Sequence, residues 1–179
     1  MNCTKNKPSL KMSIVLIGYR GTGKSSVADN LVERFSAKKI STDELIVQKT
    51  GMNIPEIVEK HGWDYFRNVE SEVIAEISKQ DDLIVDCGGG VILREENVKN
   101  LKKNSRIILL TTDINTIKER IKGDSNRPSL TGIKSSSEEI ETVLAERKPK
   151  YEKAADFIVD TTNLTVEKVA EKIIKYLKM

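Results

Sequence analysis

The sequence contains few of the residues that mark secreted, fibrous or membrane proteins. It has two cysteines, four prolines and ten glycines in 179 residues, and the prolines and glycines are spread along the chain. This composition excludes a collagen-like or disordered chain. Cys3 lies in a polar segment and Cys87 ends an apolar run, so we expect no structural disulfide and a reducing compartment.

Long apolar runs and blocks of charge of one sign are also absent. No run reaches the roughly 18 residues of a membrane-spanning helix, and the opening MNCTKNKPSLK lacks the apolar stretch of a secretory signal. Thirty basic and 27 acidic residues leave a net charge of +3, with both signs interspersed. We therefore expect a cytoplasmic monomer without a nucleic-acid or membrane partner.

Short apolar runs rich in β-branched residues alternate with segments of helical periodicity. Fully apolar short runs are typical of a parallel sheet that is covered on both faces, and the alternation indicates a doubly wound α/β fold. We predict three layers, with a five-stranded parallel sheet between helices. The expected strands cover 13–17, 38–41, 83–87, 106–111 and 156–160.

The length of the chain is sufficient for one hydrophobic core and predicts one domain. Residues 1–12 lack periodicity, so we expect a flexible extension before a single domain at 13–179. The helix-rich stretch at about 42–79 is too long for a simple crossover, and is either a substrate-binding insert or two extra packing helices. The polar, Gly- and Ser-containing stretch at about 123–137 predicts a mobile loop.

The segment GYRGTGKS, from Gly18 to Ser25, matches G-x-x-x-x-G-K-[ST] between an apolar strand and an amphipathic helix. Glycines allow backbone N–H groups to surround phosphate oxygens at a helix N-terminus. Lys24 is expected to reach the β- and γ-phosphates, and Ser25 to bind Mg²⁺. The nucleotide-binding residues that we predict here are Gly21, Thr22, Gly23, Lys24, Ser25 and Ser26. Kinases, GTPases and motor ATPases share this loop, so it does not decide the reaction.

Two arginines are candidates for binding an anionic substrate. The guanidinium groups of Arg67 and Arg147 could each bind a carboxylate through two hydrogen bonds. Glu70 follows Arg67 by three residues, a spacing that would let it hold the guanidinium on one helical face. From the residues alone, solvated arginines and a routine surface ion pair are the better alternatives.

From Ser13 to about Ile174 the sequence resembles the shikimate kinase family, whose motifs occur here in order. They are GYRGTGKS, STDELI with TG, FRNVESE, GGGVI, NRPSLTG, and ERKPKY before DFIVDTT. The resemblance implies a P-loop kinase fold whose polar loop at 123–137 is a lid over the nucleotide. It also implies that ATP and shikimate are the substrates and that Mg²⁺ is the cofactor, in the pathway to aromatic amino acids.

The resemblance assigns acceptor-side roles to two arginines, an aspartate and three glycines. It implies that Arg67 and Arg147 bind the shikimate carboxylate. It also implies that Asp43 contacts and orients the acceptor hydroxyl, although an N-cap of the next helix is an equal alternative from the residues alone. The glycines that would line the shikimate site, with a flexible turn as the alternative, are Gly88, Gly89 and Gly90.

Two further arginines receive roles on the nucleotide side. Arg127, in the polar loop before Pro128, would close over the nucleotide and stabilise charge on the transferring phosphate. Arg120, near the end of a predicted helix, would stack on adenine. The alternatives are a solvated arginine for Arg127 and, for Arg120, the preference of helix C-termini for basic residues.

The sequence departs from the family at the expected magnesium site. Family members usually have an acidic residue two positions before Asp43, and here that residue is Ser41. Asp86, at the end of the next predicted strand, could supply the missing carboxylate together with Ser25. The alternative is a strand-end aspartate that binds a nearby backbone N–H.

The combined pattern favours a shikimate kinase, with Lys24, Asp43 and Arg127 as the catalytic residues. Two other functions remain open on the residues. One is another small-molecule P-loop kinase, for gluconate or a nucleoside monophosphate, and the other is a nucleotide-binding module without catalysis. The paired arginines and the three glycines favour a compact carboxylate acceptor over a nucleotide. The presence of Lys24, Asp43 and Arg127 argues against a module without catalysis.

Overall fold

A computed structural model of the protein describes residues 7–121 and 137–178. Its five strands form one parallel sheet in the order β2-β3-β1-β4-β5. The strands are β1 (Ser13–Ile17), β2 (Lys38–Ser41), β3 (Leu83–Asp86), β4 (Ser105–Thr111) and β5 (Phe157–Asp160). This architecture confirms the predicted doubly wound α/β fold, and each strand boundary agrees with the prediction to within one residue.

Helices cover both faces of the sheet in the described part of the chain. They are α1 (Lys24–Arg34), α2 (Thr42–Thr50), α3 (Ile54–Ile77), α4 (Glu95–Leu101), α5 (Ile114–Ile121), α6 (Ser137–Ala154) and α7 (Val166–Leu177), with a short 3-10 helix at Val91–Leu93. None of them combines the length and apolarity that a membrane span requires.

Alternate residues of the strands pack into two separate core layers, one on each face of the sheet. Ile14 and Leu16 of β1 pack with α1 and α7 on one face. Val15 and Ile17 pack with the end of α3, α4 and α6 on the other. Both faces of the strand are therefore apolar, because each is buried under helices.

The helix-rich segment at 42–79 consists of α2 and α3, which pack on each other around a small core of their own. Helix α3 is broken at Gly62, whose φ of 79° and ψ of 171° are outside the helical region. The sequence pattern does not predict this break. It separates the first turns of α3 from the turns that carry Trp63, Phe66 and Arg67.

Residues 7–12 contact the domain. The Pro8 carbonyl accepts a hydrogen bond from Ser36 N at 2.9 Å, and Leu10 is buried in the layer formed with α1 and α7. The lack of periodicity at 1–12 does not predict this packing, because contacts of single residues such as Pro8 and Leu10 leave no periodic pattern. Residues 1–6 and most of the predicted lid at 123–137 lie outside the described residues.

Candidate active site

The phosphate-binding loop connects the central strand β1 to α1. Gly18, Gly21 and Gly23 all have positive φ values, of 142°, 81° and 88°. At Gly18 the requirement is also steric, because a β-carbon would overlap the Leu110 carbonyl of β4. The loop therefore fits closely against the neighbouring strand.

Side chains of the loop and of β5 hold this backbone in place. Lys24 is buried, and its Nζ donates to the carbonyls of Gly18 and Tyr19 at 3.0 Å each. Thr22 Oγ1 donates to the Tyr19 carbonyl at 2.8 Å. Thr161, after β5, donates its hydroxyl to the Thr22 carbonyl at 3.2 Å. The Lys24 ammonium is thus held over the loop where phosphates are expected.

Ser25 and Asp86 meet beside the loop. Ser25 Oγ donates to Asp86 Oδ2 at 2.5 Å, and Asp86 is 9% exposed. Ser41 of β2 pairs with Asp86 of β3 in the sheet register. The Ser41 side chain accepts a hydrogen bond from Glu44 N and caps α2. The N-cap alternative for Asp43 is therefore wrong, because Asp43 lies in the first turn of α2 and Ser41 is the cap.

A second pocket lies beside the loop and contains the predicted acceptor residues. Its walls come from the loop, α2, α3, the segment after β3, and α6. The residues that line it are Tyr19, Arg20, Asp43, Ile54, Trp63, Phe66, Arg67, Glu70, Gly88, Gly89, Gly90 and Arg147. The two arginines and the three glycines of the sequence prediction thus face one pocket.

An ion pair fixes Arg67 in the acceptor pocket. Arg67 Nη1 lies 2.6 Å from Glu70 Oε2, and the Glu70 side chain is fully buried. The guanidinium also stacks on Trp63 and Phe66, with its carbon 5.4 and 4.9 Å from the ring centroids. Burial raises the pKa of Glu70, and the positive charge of Arg67 opposes that rise. The three-residue spacing predicted this pair, and burial makes it more than a surface contact.

The glycines after β3 are required by close contacts. A β-carbon at Gly88 would overlap Asp43 Oδ1, and one at Gly90 would overlap the Arg67 guanidinium. Gly88 N also donates to Thr42 Oγ1 at 2.9 Å, which attaches the start of α2 to the end of β3. The glycines thus allow both functional side chains to approach the strand end.

The Gly89 carbonyl joins α6 to the acceptor pocket. It accepts hydrogen bonds from Arg147 Nη1 at 3.2 Å and from the Tyr151 hydroxyl at 2.5 Å. Burial raises the pKa of Tyr151 to about 12, so its hydroxyl remains a donor at neutral pH. Arg147 is itself only 8% exposed. The arginine is therefore fixed next to the glycines and is not solvated.

The acceptor pocket and the phosphate pocket meet at two residues. The phosphate pocket is lined by the loop residues from Gly21 to Ser26 except Thr22, and by Ser41, Asp86 and Arg120 among others. Arg20 and Asp43 line both pockets. A group held over the loop would therefore face the carboxylate of Asp43, which is the geometry that a transfer between two bound substrates requires.

Comparisons with known proteins agree with the resemblance to the shikimate kinase family. A family model described as Shikimate kinase matches residues 20–178. The chain belongs to the shikimate kinase family. Kinases of this family use ATP to phosphorylate a hydroxyl group of shikimate.

Shikimate kinases of several bacteria resemble the chain over most of its length. The shikimate kinase of Thermodesulfovibrio yellowstonii is 45% identical over 163 residues, which cover 91% of this chain and 93% of the relative. The solved shikimate kinase of Acinetobacter baumannii, in complex with shikimate, has a TM-score of 0.88 at 30% identity, with 93% and 92% of the two chains covered. The shikimate kinase of Aquifex aeolicus has a TM-score of 0.80 at 30% identity, with 93% and 96% covered.

The remaining predicted residues of this shikimate kinase family member are Arg120 and Arg127. Arg120, at the end of α5, donates from Nη1 to the Gly21 carbonyl at 3.0 Å, so it borders the phosphate loop. Its contact with adenine stays a prediction. Arg127 lies outside the described residues.

Sequence reasoning missed two residues of the site. Tyr151 follows Arg147 by four residues in the ERKPKY motif, so helical spacing could have placed both side chains on one face of α6. Arg20 is inside the phosphate-loop motif at a position that the motif leaves open. No sequence signal distinguishes it from a solvated loop arginine.

Proposed function

We propose that the chain transfers the γ-phosphoryl group of ATP to the 3-hydroxyl of shikimate. The observation that carries the proposal is the junction of the two pockets at Asp43. On one side of Asp43 is a phosphate-binding loop, and on the other are two fixed arginines. A small hydroxy acid that spans the acceptor pocket would thus present its hydroxyl to the nucleotide.

The acceptor carboxylate would bind between Arg67 and Arg147. Both guanidinium groups are held by other groups, one by Glu70 and the other by the Gly89 carbonyl. Fixed donors lose little conformational entropy on binding, which favours a compact anion. The glycines at 88–90 would let the ring of the acid approach the backbone.

Transfer would proceed by in-line attack of the acceptor hydroxyl on the γ-phosphorus. The bond from this phosphorus to the bridging oxygen breaks, ADP leaves, and the hydroxyl proton passes to Asp43. Lys24 and the N–H groups at 21–26 would bind the phosphates. By the resemblance, Arg127 would add a positive charge over the transferring group. Closure of the lid at 123–137 would exclude water and limit hydrolysis of ATP.

Ser25 and Asp86 are the residues that would hold Mg²⁺. They supply two oxygen atoms 2.5 Å apart beside the loop, and oxygen is the donor that this hard cation prefers. Within the described residues no group of three or more His, Cys, Asp or Glu could hold a metal ion. Mg²⁺ usually binds through one or two protein ligands together with phosphates and water. Bound Mg²⁺ would offset negative charge on the phosphates.

The proposal also covers the domain organisation, the oligomeric state and the location of the protein. A single kinase domain at 13–179, with an acceptor-binding insert at 42–79, would act as a cytoplasmic monomer without nucleic-acid or membrane partners. The packing of α2 and α3 beside the acceptor pocket supports the insert. Sedimentation velocity would test the monomer, and a dimer at working concentration would contradict it.

An acceptor screen tests the function. Purified protein with ATP and Mg²⁺ is assayed for ADP release with shikimate, gluconate or a nucleoside monophosphate. We expect turnover with shikimate alone, and we expect the Arg147→Met variant to lose affinity for shikimate while it still binds ATP. Turnover only with gluconate or a nucleotide would contradict the proposal. ATP binding without acceptor-stimulated turnover would instead indicate a binding module.

A further inference from the structure

Arg20 occupies an unusual position in the phosphate loop. Of the residues that line the phosphate pocket and the acceptor pocket, only Arg20 and Asp43 line both within the described part of the chain. Arg20 follows Tyr19, whose ring is 2% exposed, and its guanidinium carbon lies 5.7 Å from the centre of that ring. The loop thus directs a cationic side chain to the boundary between the two substrates.

The other described arginines of the site have a hydrogen-bond or ion-pair partner, whereas no such partner of Arg20 is found among the described residues. Arg67 pairs with Glu70, Arg147 donates to the Gly89 carbonyl, and Arg120 donates to the Gly21 carbonyl. Arg20 Nε is buried without a hydrogen-bond acceptor. A buried guanidine N–H without an acceptor is unfavourable, and an anionic ligand oxygen would satisfy it.

We propose that Arg20 is a catalytic residue that contacts the γ-phosphoryl group during its transfer. This inference rests on the proposed function. As the phosphoryl group moves, negative charge spreads over its equatorial oxygens, and a planar guanidinium can bind two such oxygens at once. Arg20 and Asp43 both line the two pockets, so the charge of Arg20 would also offset the repulsion between that carboxylate and the phosphate.

The position of Arg20 gives it a different role from those of the neighbouring lysine and arginines. Lys24 is held over the loop by the Gly18 and Tyr19 carbonyls, on the nucleotide side. Arg67 and Arg147 are held at the glycines on the acceptor side. Arg20 lines both pockets, so we expect its interaction to strengthen as the phosphoryl group leaves ADP. A residue of this kind changes kcat more than KM.

The test compares Arg20→Met with Arg20→Lys and with a control, Arg106→Met. Arg106 is exposed on β4 and lines neither pocket, so the control removes the same charge outside the site. We expect Arg20→Met to lower kcat on the order of 100-fold, as loss of one transition-state donor does, with little change in either KM. Arg20→Lys should recover part of the rate, and Arg106→Met should match the wild type.

Binding measurements separate contact with the phosphoryl group from a structural effect. Affinity for ADP with aluminium fluoride and shikimate, which imitates the transferring phosphoryl group, should fall in Arg20→Met by about the factor lost in kcat. Affinities for ADP alone and for shikimate alone should not change. An unchanged kcat, or a loss of shikimate affinity as large as the loss of kcat, would overturn the proposal.

The proposed function is tested by the wild type and the role of Arg20 by the variants. If the wild type phosphorylates another acceptor, the function is wrong, and the same variants assayed with that acceptor still decide the role of Arg20. If shikimate is the acceptor and Arg20→Met retains full kcat and analogue affinity, only the role of Arg20 is wrong. Should Arg20→Met unfold, Arg20→Lys alone must show the reduced kcat and analogue affinity.

Discussion

At the scale of single residues, the placement of one carboxylate distinguishes this chain from the usual pattern of its family. Ser41 and Asp86 pair in the parallel register of β2 and β3, so both side chains are on the same face of the sheet. A carboxylate at either position would therefore reach the same edge of the phosphate pocket. Ser41 caps α2, and Asp86 accepts the hydrogen bond of the Ser25 hydroxyl.

Replacing Asp86 tests whether it compensates for Ser41. We expect Asp86→Asn to weaken metal binding by about 10- to 100-fold, because a neutral amide is a poorer ligand for a hard cation. The measurement is a titration of Mn²⁺ into the ADP complex, followed by electron paramagnetic resonance, with Mg²⁺ dependence of turnover as a second readout. Asp81→Asn, an exposed acid before β3, is the control.

A double variant makes the test of Asp86 sharper. Ser41→Asp combined with Asp86→Ala moves the carboxylate to the paired position on β2 and restores the usual family arrangement. It should recover most of the metal affinity that Asp86→Asn loses, since aspartate can also cap a helix. Unchanged metal affinity in Asp86→Asn would show that Asp86 has only a local structural role.

At the scale of elements, the break in α3 determines where the acceptor arginine points. Gly62 has φ 79° and ψ 171°, a region that only glycine adopts readily. The turn that follows carries Trp63, Phe66 and Arg67 into the acceptor pocket. A continuous helix would rotate these side chains relative to α2, so the break belongs to the construction of the site.

Gly62→Ala tests the break. A side chain in this region costs about 1–3 kcal/mol of stability. Gly51, at the end of α2, is a matched control, because its φ of 68° and ψ of 11° are ordinary left-handed values and a β-carbon has open space at both glycines. Gly51→Ala should cost about 1 kcal/mol. Only Gly62→Ala should raise KM for shikimate, and equal effects on KM would contradict the role of the break.

The strands and helices and their order were predictable from the sequence. The break in α3 and the contact between Tyr151 and Gly89, which are distant in the sequence, were not. The strands were found because apolar runs buried on both faces have clear ends. Gly62 was missed because an isolated glycine in a helical pattern is compatible with a continuous helix. The Arg67 and Glu70 pair followed from spacing on one helix. Asp86 and Ser25 were connected only through the magnesium site that both were expected to form. Tyr151 and Gly89 are 62 positions apart, and single-sequence periodicity cannot connect them.

At the scale of the whole molecule, the described segment before β1, residues 7–12, packs against the domain. Leu10 joins the core layer of α1 and α7, Pro8 accepts a hydrogen bond from Ser36 N, and Lys7 Nζ donates to the Val32 carbonyl at 3.1 Å. These contacts lie next to α1, on the face of the sheet that α1 and α7 cover. None of the residues involved lines the phosphate or the acceptor pocket. The segment is therefore expected to affect stability without affecting catalysis.

A chain that begins at Met12 tests this separation. We expect it to lose about 2 kcal/mol of unfolding free energy, mainly from the buried Leu10 side chain, and Leu10→Ala in the full chain should lose a similar amount. For a domain of this size the thermal midpoint should fall by roughly 4–8 °C in both. Values of kcat and KM should match the full chain below the transition. An unchanged midpoint in both proteins would show that residues 7–11 add no stability, and reduced kcat at low temperature would connect the segment to the site.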